Sequence, residues 1–198
     1  MATKEDILEQ LVEEYLLHEG YFVQHNLKFR PSRDHLEIDR RQDSNHSDVD
    51  VVGIHPRKTG NDRVVAISCK SWQKGFNPRS AIQALENEGG KLGGRDAWKH
   101  FRELKIPKWS EAFLKMMQDA TGAKEFTYIT AVTRLDGDKS VWEKHQPFSD
   151  AIGGNPIRVL DMREMLAAIL PKLTTTVANT SIGRMLQLMK ASGVTFKL

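Results

Sequence analysis

Two short runs in this chain place ionisable residues at alternating positions. Ser47-Asp48-Val49-Asp50-Val51-Val52 reads as a strand whose alternation sets Asp48 and Asp50 on one face and Val49 and Val51 on the other. In Ala66-Ile67-Ser68-Cys69-Lys70, Ser68 and Lys70 share a face opposite Ile67 and Cys69. If the two strands pair, a carboxylate and an ammonium group meet on one surface of the sheet. The chemistry that needs this pair is phosphodiester hydrolysis. Carboxylates hold a divalent metal that polarises a phosphoryl oxygen, and a lysine orients or activates the attacking water and offsets the developing charge. The same spacing also fits a plain Asp–Lys ion pair at a sheet edge, or two solvated side chains.

The flanking elements follow from periodicity. Residues 5–19 read as a helix with Ile7, Leu8, Leu11, Val12, Tyr15 and Leu16 on one face, closed by Gly20. Tyr21-Phe22-Val23 opens a strand that runs to Phe29, and residues 30–47 are polar and read mainly as loop. Strands at Val49–Ile54 and Val64–Cys69 are joined by a connection rich in turn formers, His55 to Asp62. A helix is expected from Arg79 to about Glu88, with Pro78 near its first turn and Gly89-Gly90 and Gly93-Gly94 beyond it. Further helices fill 96–120 with a break at Pro107. A strand at Phe126–Val132, helix at 139–151, strand at Ile157–Leu160, and helices at Met162–Leu170 and Ser181–Ser192 complete the chain. This order predicts an α/β fold with a mixed central sheet flanked by helices.

At 198 residues, 39% hydrophobic and 28% charged, the chain fits a single domain over 1–198 that buries a real core. One cysteine, Cys69, excludes a disulfide framework and a multi-cysteine zinc site, and reads as a core residue. No apolar run approaches the ~18–20 residues of a membrane span, and the acidic start has no hydrophobic segment behind it. The expected location is cytoplasmic, with no membrane partner. Charge is unevenly spread: net −5 over residues 1–24 and net +7 over residues 55–108. A basic middle third suits an anionic partner such as nucleic acid, or a solvated charged surface.

The ordered motifs resemble the PD-(D/E)XK, or restriction-endonuclease-like, nuclease superfamily. Its small bacterial resolvase-like and repair-like branches begin with a Glu-bearing helix ending in Tyr-Leu-x-x-x-Gly-Tyr. This chain reads Glu9-Gln10-Leu11-Val12-Glu13-Glu14-Tyr15-Leu16-Leu17-His18-Glu19-Gly20-Tyr21. A strand with acidic-x-Asp before small apolar residues follows, here Asp48-Val49-Asp50-Val51-Val52, and a second strand ends in acidic-x-Lys, here Ser68-Cys69-Lys70. The resemblance covers about residues 5–90, and the strand–helix–strand–helix segment over 124–198 suits the same fold. It implies a DNA endonuclease dependent on Mg²⁺ (or Mn²⁺). It also leaves a homodimer open, because many nucleases of this fold dimerise to cut both strands.

Carried over residue by residue, the resemblance makes Asp50 the central metal ligand, Lys70 the catalytic lysine, Glu9 the helix carboxylate and Asp48 an accessory acid. Ser68 departs from the pattern. A neutral hydroxyl is a weak ligand and leaves the site one negative charge short. Some restriction enzymes of this superfamily carry Ser-x-Lys and take the missing carboxylate from the following helix, which here offers Glu86. Gln83, one turn earlier, corresponds to a glutamine that supports the metal-site acids in recombination-nuclease branches. On this reading Glu86 stands slightly ahead of Glu9 as the further carboxylate. The alternative on the same fold is a degenerate module that binds DNA or a protein partner without cutting.

The segment after Lys70, Ser71-Trp72-Gln73-Lys74-Gly75-Phe76, mixes aromatics with cations that suit base stacking and phosphate contact. Trp72, Lys74 and Arg79 are therefore candidate DNA contacts, with Trp72 and Phe76 equally able to cover the sheet edge. Gly89-Gly90-Lys91-Leu92-Gly93-Gly94 lacks the order of a nucleotide-binding loop and reads as a mobile loop over the substrate. His25, His35 and His46 have no ligand-like spacing. Asn26 follows the first strand, as in resolvase-like families, where a cap or turn explains it equally well.

Overall fold

The computed structural model describes residues 6–32, 34–36, 39, 43, 45–178 and 180–196. The first helix, α1 (Ile7–His18), is capped by the Asp6 side chain, which accepts from the Leu8 N–H at 2.8 Å. Residue 5, the expected start of that helix, lies outside the described residues, as does part of the polar 30–47 segment. Strands β1 (Phe22–Phe29), β2 (Ser47–Ile54) and β3 (Val64–Lys70) form an antiparallel meander. The chain then crosses through α2 (Pro78–Glu86), a short hairpin of β4 (Lys91–Leu92) and β5 (Arg95–Asp96), α3 (Arg102–Lys105) and α4 (Pro107–Thr121). It returns in β6 (Thr127–Val132), parallel to β3, and after α5 (Ser140–Glu143) and α6 (Gln146–Ala151) in β7 (Ile157–Asp161), parallel to β6. Helices α7 (Met162–Ile169) and α8 (Ser181–Ala191) finish the described chain. The result is the expected α/β architecture: a mixed five-stranded sheet, order β1-β2-β3-β6-β7, with helices on both faces. Among the described residues, no helix is long and apolar enough to cross a membrane.

Two cores lie against the sheet. On one face Val51, Val65, Ile67, Ile129 and Ala131 pack against Leu8, Leu11 and Leu16 of α1, Met165 of α7 and Leu186 of α8. On the other, Ala66, Tyr128 and Val159 meet Leu85 of α2, Leu104 of α3, Trp109 and Phe113 of α4, and Trp142. Each fully buried Phe of this second layer contributes about 1.5–3 kcal/mol by leaving water. The buried Trp142 Nε1–H donates to Thr130 Oγ1 at 3.1 Å, so its polar atom is satisfied. A long-range latch fixes α1 from outside. The buried Glu14 carboxylate accepts from Thr180 Oγ1 and meets His18 Nε2 at 3.0 Å, while Gly183 of α8 leaves no room for a Cβ beside it.

The sheet contains one interruption that alternation alone misses. β1 and β2 pair continuously except at Asn26 and its opposite, Asp50. Asn26 lies inside the strand rather than after it, with φ +55°, in the left-handed region that Asn tolerates better than branched residues. Across this residue the pleat changes phase. Val23 packs on the α1 side, whereas Leu27 and Phe29 pack on the α4 side. The same reversal occurs on β2, where Val49 joins the α4-side core and Val51 the α1-side core. The expectation that Val49 and Val51 share a face therefore fails, while Asp48 and Asp50 both act on Glu9 of α1. The cause is a single backbone conformation that resets the two-residue period. Asn26→Gly should leave the melting temperature within a few degrees of wild type, whereas Asn26→Val should cost about 1–2 kcal/mol in denaturant unfolding. Equal stability of the two variants would show that the left-handed conformation carries no strain for a branched residue.

Candidate active site

Pairing between β2 and β3 runs from Ile54↔Val64 to Val51↔Ile67 and stops there. Beyond that point the Asp50 carboxylate takes over, its Oδ2 accepting from the Cys69 N–H at 2.5 Å. Burial pushes the Asp50 carboxyl up, while the nearby Lys70 ammonium and the Cys69 N–H pull it back. Asp50 and Lys70 thus lie near enough at the mouth of the fork to influence each other electrostatically, without an ion pair between them, and strand separation rather than cross-strand pairing brings them there.

Glu9 joins them from α1. Burial raises its carboxyl to about 7, with the charges of Asp50, Asp6 and Asp48 adding to the rise and Lys70 opposing it. Asp6 was not among the residues singled out by sequence. It caps α1 with one oxygen and with the other accepts from Ser71 Oγ at 2.5 Å, tying the helix start to the segment just past Lys70. An acid at a helix N-cap was legible from sequence, but its reach to Ser71 was not. The acids at this fork influence one another electrostatically. Even so, among the described residues no three His, Cys, Asp or Glu side chains converge into a ready-made metal cage.

Glu86 stands elsewhere. Helix α2 gives Ala81, Ile82 and Leu85 to the core and leaves Gln83 and Glu86 exposed. Glu86 faces His145 Nε2 at 3.7 Å and lines a cavity with Leu104, Pro107 and Phe148 rather than with Asp50 or Lys70. The ordering of Glu86 ahead of Glu9 is therefore reversed. Its physical reason is the amphipathic phase of α2, whose buried stripe excludes residue 86.

On the other side of the fork lies a group that spacing did not reveal. Ser68 and Lys70 share the predicted face, and Lys70 Nζ donates to Ser68 Oγ at 2.7 Å while lying 5.1 Å from the centre of the Phe101 ring. Behind them sits Glu103 of α3, 6% exposed, accepting a hydrogen bond from the Tyr128 hydroxyl. Burial raises the Glu103 carboxyl, and Lys70 is the leading charge that opposes the rise. The Cys69 side chain packs on the opposite, α1-side core, and burial pushes its thiol well up, which removes it as a nucleophile.

The rim is basic. A groove of about 460 Å³ opens directly after Lys70, lined by Ser71, Trp72, Lys74, Phe76 and Ser80 and by Leu92 and Gly93 of the hairpin. A second, of about 420 Å³, is lined by Arg95, Asp96, Lys99, His100 and Arg102. The hairpin between them replaces the loop expected over 89–94. Gly93 and Gly94 both have positive φ (55° and 82°), as a two-residue hairpin turn of this hand requires. Lys74 and Arg79 are exposed, as a phosphate contact requires. Trp72 is half-buried, its ring 5.2 Å from His100 and 6.0 Å from Phe76, so it serves mainly as cover for the core. Burial lowers the His100 imidazole, and Lys70 and Arg95 lower it further against a bond to the Leu92 carbonyl. The other histidines disperse: His25 pairs with Glu13 at 3.3 Å and His35 with Glu111 at 3.6 Å.

No family model, curated protein or solved structure matches this chain.

Glu9 supplies a pH signature. Below about pH 4.5 its carboxyl is protonated in folded and unfolded chains alike; between there and about 7 the unfolded chain loses the proton first. The fold thus binds more protons across this window, and stability falls as pH rises through it. Thermal melts from pH 4.5 to 8 should show wild type losing stability relative to Glu9→Gln, which stays neutral throughout. Parallel curves for the two proteins would remove Glu9 from the acidic cluster.

Proposed function

We propose that this chain is a metal-dependent deoxyribonuclease of the restriction-endonuclease-like kind, working at the β2–β3 fork. The observation that carries the reading is the electrostatic coupling of Glu9, Asp50 and Lys70, brought from three separate elements to the fork that the Asp50–Cys69 bond marks, beside a basic rim. The donor set fits a hydrated Mg²⁺ or Mn²⁺. Asp50 commits Oδ2 to the Cys69 N–H and keeps Oδ1 available, and Glu9 adds a second hard oxygen ligand. Magnesium binds through one or two carboxylates and keeps several waters, so a preformed cage of three is not required.

Asp50 and Glu9 would hold the cation, which would supply Lewis acidity toward a phosphodiester oxygen. Lys70, fixed by Ser68, offers its ammonium to the attacked phosphoryl group, orienting the attacking water and offsetting charge as it develops. Burial and then the neighbouring acids raise Glu9, and a cation held there would offset the gathered charge, so metal binding and deprotonation would be coupled. Asp48 adds negative potential without joining the ligand pair. Lys74 and Arg79 on one side of the hairpin, and Arg95 and Lys99 on the other, hold the phosphate backbone on either flank of the cut. A second reading, a module on this fold that binds DNA without cutting, is favoured by the neutral Ser68 and by the lack of a three-ligand cluster among the described residues.

Cleavage of plasmid, linear and branched DNA with Mg²⁺ or Mn²⁺ separates the two. Asp50→Ala and Lys70→Ala should each lower the rate by about 100- to 1,000-fold in protein that circular dichroism shows to be folded. Glu9→Gln should be nearly as damaging, and Glu86→Ala should have no effect. Activity surviving both Asp50→Ala and Lys70→Ala would move the reaction elsewhere. A wild type that binds but never cuts would establish the second reading. Lys74→Glu with Arg79→Glu should weaken DNA binding and flatten its salt dependence by about 0.9 in slope per lost phosphate contact. An unchanged slope would place the DNA surface on another face.

A further inference from the structure

The reaction proposed above makes no use of the most deeply buried acid near the site. Glu103 reaches the sheet from α3, held by its own backbone: Ser110 Oγ donates to the Glu103 carbonyl at 2.8 Å. Its carboxylate accepts from the Tyr128 hydroxyl, and Ser68 Oγ accepts from the Lys70 ammonium at 2.7 Å; the β3–β6 register, Ala66↔Tyr128 and Ser68↔Thr130, sets Ser68 and Tyr128 diagonally across neighbouring strands. The two bonds share a direction: Lys70 N–H donates to Ser68, Tyr128 O–H donates to Glu103, and the Ser68 O–H is free to turn toward the Tyr128 oxygen. With the Lys70 ammonium at one end and the Glu103 carboxyl at the other, a bond between the two hydroxyls would join them into one polarised line. Ser68 (5% exposed) and Tyr128 (0%) are closed off from water, which leaves these bonds without competition.

We propose that Glu103 is a positioning residue for Lys70: acting through the Tyr128 and Ser68 hydroxyls, it holds the Lys70 ammonium in one orientation beside Asp50. This rests on the reading of Lys70 as part of the reacting centre. The departure at position 68 then has a cause. A glutamate there would face Glu103 and Tyr128 in a closed space and would add a second buried carboxylate, which is costly without a partner. Serine instead both accepts and donates, which is what the middle of a directed line needs. The negative charge that sequence comparison misses at position 68 lies one layer deeper, facing Lys70 rather than a metal.

The test reads Lys70 itself. Acylation of lysine ε-amines by an N-hydroxysuccinimide ester, followed by peptide mass spectrometry, compares wild type with Ser68→Ala, Tyr128→Phe and Glu103→Gln. Exposed Lys115 serves as the internal standard. Breaking the line should speed acylation of Lys70 by roughly tenfold, the worth of one charge-assisted hydrogen bond, with Lys115 unchanged. Ser68→Ala should match Tyr128→Phe, and the double variant should add little, because both cut one line. DNA cleavage by the same variants should fall in kcat by roughly 10- to 100-fold, with KM for DNA and the Mg²⁺ dependence retained. Unchanged Lys70 acylation in Ser68→Ala and Tyr128→Phe overturns the proposal, and these two decide it if Glu103→Gln does not fold. If wild type cuts no DNA, the nuclease reading fails while the acylation result still decides whether Glu103 holds Lys70. Ser68→Glu should melt well below wild type; a more stable and more active Ser68→Glu would also overturn the proposal, because it would make position 68 a lost ligand.

Discussion

Where β2 ceases to pair with β3, a backbone N–H is left without a strand partner, and the Asp50 carboxylate takes its place. This exchange of a ladder bond for a side-chain bond draws a carboxylate into the sheet plane, where it is partly desolvated and close to Lys70. The remaining groups arrange themselves around it. The left-handed Asn26 opposite Asp50 lets β2 change its pleat phase at that point, so Val49 and Val51 can each reach a different core. Without that reset, a valine on β2 would face the wrong layer and the fork would be closed by ordinary pairing.

The electrostatics divide along the sheet. On the α1 side Asp6, Glu9 and Asp48 concentrate negative charge at partly solvated positions, where a cation or a proton relieves it. On the other side one enclosed carboxyl, Glu103, accepts from the Tyr128 hydroxyl, and Lys70, bonded to Ser68, is the leading charge that opposes the rise burial gives it. Lys70 stands between the two and is the only lysine of β3. The basic residues of the hairpin and the following turn lie farther out, where screening by salt is strong and contact with a polyanion is made or lost with little effect on the fold.

Much of this was legible in the chain. Helical spacing marks α1, alternation marks β2 and β3, and the two runs around Asp50 and Lys70 identify the pair that the structure brings together. What was not legible has specific causes. A positive φ at Asn26 leaves no trace in hydrophobic period, so the phase reversal on β2 was hidden. Glu103 lies in Arg102-Glu103-Leu104-Lys105, within the helices expected over 96–120, where three charged residues around one leucine give no sign that an acid is enclosed; only the packing of α3 buries it. The choice between Glu9 and Glu86 depended on which face each helix buries. For α2 that was available from Ala81, Ile82 and Leu85, had the phase been weighed above the spacing to Lys70. Gly93-Gly94 carried a hairpin signal, but strands of two residues each give no alternation to support it.

The latch on α1 has a consequence in time. Glu14 and Thr180 are 166 residues apart, and their contact closes nearly the whole described chain into one loop. Contacts of such separation lose the most chain entropy before they gain anything, so they form after the local pairings of β1, β2 and β3. The helix that brings Glu9 to the fork is therefore made early but locked late. During folding, the sheet with Asp50 and Lys70 stands ready before its third charged partner is pinned, an order that pulsed hydrogen exchange would register as late protection of the α1 amides.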